Sequence, residues 1–174
     1  MVTVLVCHAS NLLETSETEE LTNTGYVSSS TCPECQSAFE PLFNKYGVDV
    51  VLHGHKHFYE RQAPVLPTSN GTGVADPNGL KNPSAPWYII NGAAGHYDGL
   101  DSANTPYVPT SRMVIDTKYG WSYFTVHNCT HLTQSFIPSG LGVPMDTVTL
   151  FKDRTCSFDE GDNGDDNDGQ GDGQ

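Results

Sequence analysis

Apolar residues come in short runs between polar, Gly- and Pro-rich stretches, so strands should outnumber helices. Ala38, Phe39, Leu42, Phe43 and Tyr46 recur at helical spacing and predict a helix over 33–46. Pro33 suits its first turn and Gly47 stops it, while Pro41 should kink it or split it in two. Residues 48–52 read as a buried strand, and 87–91 as a second one ending in a Gly-Ala-Ala-Gly turn. The stretch 62–86, rich in Pro, Gly and Asn, reads as a loop. Residues 112–116 and 121–128 read as a hairpin around Lys118-Tyr119-Gly120, with further pairing at 147–152. These elements predict a layered α/β (α+β) arrangement that ends in antiparallel strands.

The strand at 48–52 runs into Leu52-His53-Gly54-His55-Lys56-His57. A strand that ends in Gly-His-x-His sets two imidazoles on a tight turn at the sheet edge, and Gly54 suits such a turn. Neutral imidazole is a common ligand for zinc, iron and related ions. His53, His55 and His57 alternate, so a regular strand would carry all three on one face, as in an adventitious surface cluster.

The block continues as His57-Phe58-Tyr59-Glu60-Arg61, then Ala63-Pro64-Val65. It resembles the last metal-binding block of purple acid phosphatases, within the calcineurin-like metallophosphoesterases. Cys32-x-x-Cys35-Gln36, Lys45-Tyr46-Gly47-Val48-Asp49, Asp76-Pro77-x-Gly79-Leu80, Ala85-Pro86-Trp87-Tyr88-Ile89, Gly92-Ala93-Ala94-Gly95-His96-Tyr97-Asp98-Gly99-Leu100 and His127-Asn128-Cys129-Thr130 are similar to fungal members. Residues 26–156 carry the resemblance, residues 1–25 stand apart as a strand or an unrelated exon, and 157–174 form an acidic tail. The family's Gly-Asp-x-x-Tyr and Gly-Asn-His-Glu strings do not occur, so the chain resembles the C-terminal half of such an enzyme.

That resemblance implies a secreted acid phosphatase acting on phosphate monoesters at a binuclear centre of Fe(III) with Zn, Fe or Mn. His55 would bind the divalent ion and His57 the ferric one. His8, after the apolar residues 2–6, is the candidate for a further ligand, although the family continues His-Arg-Pro where this chain has His8-Ala9-Ser10. His96, in a Gly-rich turn, is the candidate substrate-facing histidine. The remaining ligands would come from an N-terminal half that the site requires. The alternative is a non-catalytic secreted glycoprotein that keeps a vestigial metal-binding turn.

Two sequons, at Asn70 and Asn128, and five cysteines fit an oxidising, extracellular setting. Cys129 and Cys156 flank the last strand pair and are the favoured disulfide. A thioredoxin-like reading of Cys32-Pro33-Glu34-Cys35 lacks its βαβ context. No basic n-region with an apolar core opens the chain, so no signal peptide is read there.

The net charge of −13 changes less than its size suggests, because residues 159–174 hold seven of the 21 acidic residues and no basic ones. The body has no basic stripe to follow nucleic-acid phosphates and no apolar run of membrane-spanning length. Half of a two-sheet sandwich is also expected to leave strand edges and an apolar sheet face uncovered. Val50, Val51, Leu52, Trp87, Tyr88, Ile89 and Ile90 would lie in its central strands, and the isolated chain would then be poorly soluble or oligomeric.

Overall fold

A computed structural model describes residues 4–7, 33–68 and 73–156. The order is β1 (Val4–Cys7), α1 (Pro33–Lys45), β2 (Val50–His53), β3 (Tyr59–Leu66), β4 (Val74–Ala75), β5 (Trp87–Asn91), β6 (Ser111–Ile115), β7 (Gly120–Val126), β8 (His131–Pro138) and β9 (Asp146–Phe151). A six-stranded sheet runs β1-β2-β5-β3-β4, with β6 also on β3, and a three-stranded sheet runs β7-β8-β9. β1, β2 and β5 are parallel, whereas β3 meets β5 and β6 antiparallel.

The helix ends where glycine allows it to. Gly47 takes φ +60°, the Val48 N–H reaches back to the Phe43 carbonyl at 2.9 Å, and the Tyr46 N–H bonds to Leu42. Pro41 does not divide the helix, which is continuous from Pro33 to Lys45. The proline is exposed to solvent.

β2 and β5 are nearly continuous apolar runs because both sheet faces are covered. Val51, Tyr88 and Val65 meet Phe43 of α1 on one face. Val50, Tyr59, Trp87, Ile89 and Ile115 pack against Leu132, Phe136 and Leu150 of the three-stranded sheet on the other. The expected uncovered sheet face is therefore corrected: Val50, Val51, Trp87, Tyr88, Ile89 and Ile90 are all buried. The strand that covers much of one face, β8, was not among the elements read from sequence.

Two further expectations change. The 112–116/121–128 hairpin does not form: β6 pairs with β3, while β7 pairs with β8, so the turn between them crosses from one sheet to the other. The loop assigned to 62–86 begins as strand. β3 runs to Leu66, and its register shifts between Arg61 and Pro64, where proline offers no N–H to the ladder.

A buried polar clamp joins the two sheets. The Arg61 guanidinium donates to both carboxylate oxygens of Asp146, Nε to Oδ2 at 2.6 Å and an Nη to Oδ1 at 3.2 Å. The Tyr59 hydroxyl lies 2.8 Å from Asp146 Oδ2 and 3.0 Å from Gln134 Oε1. Burial and the Asp146 charge push the Tyr59 phenol above its ordinary range, so it remains a neutral donor. At the other end of the sheet, Arg154 donates to buried Asp49 at 2.6 Å. Cys129 and Cys156 are joined by a disulfide with Cα atoms 5.8 Å apart.

Candidate metal centre

β2 ends at His53, and the chain then turns sharply enough to part the three alternating histidines. His53 stays in the sheet, 4% exposed, with its Nδ1 unpaired, and burial lowers its pKa to about 4. It is a neutral core residue, which rules out one shared face for His53, His55 and His57. His55 is exposed and takes φ +76°, a left-handed conformation costly for a residue with a Cβ. Phe58, fully buried with Ile90 and flanked by Ala103, pins the far end of the turn.

The loop after β5 forms the back of this turn. A Cβ on Gly92 would overlap the Lys56 carbonyl, so only glycine lets the two backbones approach. The Gly92 N–H bonds to the Phe58 carbonyl at 3.2 Å. Further along, the His57 N–H donates to Asp101 Oδ2 at 2.8 Å, and the Asp101 N–H returns a bond to the His57 carbonyl at 3.2 Å. His57 Nδ1 lies 3.1 Å from the Gly99 carbonyl oxygen. A carbonyl only accepts, so Nδ1 carries the proton and the lone pair of neutral His57 sits on Nε2.

His96 lies beside this pair of elements, its ring centroid 4.5 Å from that of His57. Its Nδ1 is 3.4 Å from both the Asp98 N–H nitrogen and the Asp98 carboxylate. The structure thus brings His57 and His96 together, sets His55 in the exposed turn just before them and leaves His53 buried in the sheet. His8 and Asn70 lie outside the described residues. His127 and His131 are at the β7–β8 turn, bonded to Thr133 and Thr130. Asn128 is exposed there, its Oδ1 accepting from the Thr130 N–H and hydroxyl and from the His131 N–H.

One imidazole has its tautomer fixed by a carbonyl, as metal-binding histidines commonly have, and the other is held in a strained turn. Among the described residues no group of three or more His, Cys, Asp or Glu side chains is placed to hold an ion. Gly99 and Asp101 escaped the sequence reading because they act through backbone contacts more than 40 residues away. Only the glycine-rich run around them gave a signal.

The architecture is that of a metallophosphoesterase. It is similar to purple acid phosphatase PPD1 from yellow lupin seeds, with a TM-score of 0.67 at 20% identity over 90% of this chain and 26% of that one. Residues 85–147 match the family described as iron/zinc purple acid phosphatase-like protein C. Acid phosphatase A of Cryphonectria parasitica is 38% identical over 130 residues, 75% of this chain and 25% of that protein. Purple acid phosphatase 1 of Ipomoea batatas is 34% identical over 67% of this chain and 24% of its own length. The chain belongs to the purple acid phosphatases and corresponds to their C-terminal part. It spans about a quarter of the length of these curated relatives.

Proposed function

We propose that this chain supplies the Gly54-His55-Lys56-His57 block of a binuclear centre in a secreted acid phosphatase that hydrolyses phosphate monoesters. The observation that carries the reading is the pairing of a strained, exposed His55 with a His57 whose Nδ1 is bonded to a carbonyl, leaving Nε2 to bind. His55 would hold the divalent ion (Zn, Fe or Mn) and His57 the iron. Other ligands would come from beyond the described residues, with His8 one candidate, and the N-terminal half of the domain would supply the rest. When bound, such a pair of ions supplies Lewis acidity for activating water and neutralising phosphoryl charge.

The chain's own residues then have separate tasks. His57 is kept in one tautomer, and Gly92 and Phe58 hold the turn to the sheet. His96, exposed beside His57, is positioned to donate to a phosphate oxygen or leaving group when protonated. The sequons at Asn70 and Asn128 would carry glycans in the secreted protein. The second reading, a non-catalytic glycoprotein with a vestigial turn, draws on there being no group of three His, Cys, Asp or Glu side chains placed to hold an ion among the described residues.

Phosphatase assays on the whole protein that contains this chain separate the two. His55→Ala and His57→Ala should each reduce hydrolysis of a simple aryl phosphate to background. Full turnover in either variant would remove the catalytic reading.

A further inference from the structure

Resting on the reading of His55 and His57 as metal ligands, we propose that Asp101 is the positioning residue for His57, acting through the backbone without touching metal or substrate. Asp101 grips the peptide groups on both sides of the His57 Cα. Its carboxylate takes the N–H at 2.8 Å and its own N–H meets the carbonyl at 3.2 Å. A carboxylate acceptor makes the first of these a charge-assisted bond, stronger than a neutral one. Gly99, two residues earlier on the same loop, takes the Nδ1 proton at 3.1 Å.

These three bonds come from one short segment, so His57 has its backbone and one ring nitrogen fixed by a single element. Nε2 carries no hydrogen bond to the described residues. The same loop is held against the turn by Gly92, whose N–H bonds to Phe58. It is tied to the second sheet where the Gly120 N–H donates to Ala93 at 2.9 Å. Losing the Asp101 carboxylate would free the His57 peptide and, with it, the register that brings Nδ1 to Gly99. Outer partners that orient a ligand typically change metal affinity about 10–100-fold when removed.

The test uses the whole protein that contains this chain, freed of metal and with histidine labelled by nitrogen-15, titrated with Zn²⁺ alone and read at the imidazole nitrogens of His55 and His57. Asp101→Ala should weaken zinc binding at His57 about 10-fold or more and turn its fixed Nδ1–H tautomer into a mixture. Asp101→Asn, which retains a carbonyl acceptor, should recover most of both. Asp101→Glu keeps the charge but displaces the acceptor by one methylene, and serves if the alanine variant does not fold. The proposal is overturned if folded Asp101→Ala, or Asp101→Glu in its place, shows wild-type zinc affinity and an unchanged His57 tautomer while His57→Ala abolishes the zinc response. If His57→Ala leaves the zinc response unchanged, the reading of His57 as a ligand itself falls and the positioning role falls with it.

Discussion

Gly92 and Lys56 sit so close that a methyl group on Gly92 would overlap the Lys56 carbonyl. This contact makes one glycine in the loop after β5 a requirement of the histidine turn after β2. Gly92→Ala should therefore destabilise the chain by about 1–3 kcal/mol, the usual cost of forcing extra volume into a packed site. A fall in the urea midpoint with unchanged slope would register it. An unchanged midpoint would mean that the turn does not need the close approach.

His55 should trade stability for chemistry. Its φ of +76° is one that glycine adopts freely, so His55→Gly should stabilise the apo chain by about 1 kcal/mol while removing an imidazole. A thermal melt checks this. A lower melting temperature would show that the histidine side chain itself holds the turn.

Burial of His53 sets an acid limit on stability. Its folded-state pKa, about 4, lies below the ordinary 6.5, so its contribution is intact above pH 6.5 and is lost as pH falls towards 4. Relative to pH 8, the loss at pH 5 should be about 2 kcal/mol. His53→Leu should flatten the profile between pH 8 and 5, and an equally steep profile in that variant would assign the loss elsewhere. Asp76 acts lower on the scale. Burial opposes its charge, but bonds from the Asn78 N–H and from the Ser84 N–H and hydroxyl hold its pKa below 3.8. Its contribution therefore disappears only in stronger acid.

The clamp between the sheets gives a separate mutational signature. Asp146→Ala would leave Arg61 with an uncompensated charge and the Tyr59 hydroxyl with Gln134 alone. Removing one partner of a buried pair costs about 3–5 kcal/mol. The double change Arg61→Met with Asp146→Leu should recover much of that loss in equilibrium unfolding; no recovery would argue that shape, not charge, holds the sheets together.

Legibility in the sequence followed how locally each element is determined. The strand Trp87–Asn91 and the helix from Pro33 were readable because apolar runs, spacing and a stop glycine decide them. β3 was hidden by Pro64, which the structure absorbs in a register shift. β8 was hidden because Gln134 interrupts its apolar inward face and Ile137 lies on the other, which blunts the hydrophobic alternation. The β6–β7 connection has a hairpin's length, and only tertiary packing sends the two strands to different sheets. At the site, the spacing of His55 and His57 was visible, but the burial of His53 was not. Neither was the hold on His57, since the Gly99 carbonyl carries no residue signature and the Asp101 carboxylate acts on a backbone N–H 44 residues away.

The most direct measurement is metal content in the whole protein that includes this chain, purified as wild type, His55→Ala and His57→Ala. Two ions per chain are expected in the wild type, with His57→Ala depleted of iron and His55→Ala depleted of the divalent partner. Both variants retaining two ions in wild-type proportion, together with normal phosphatase turnover, would contradict the assignment of these histidines as ligands.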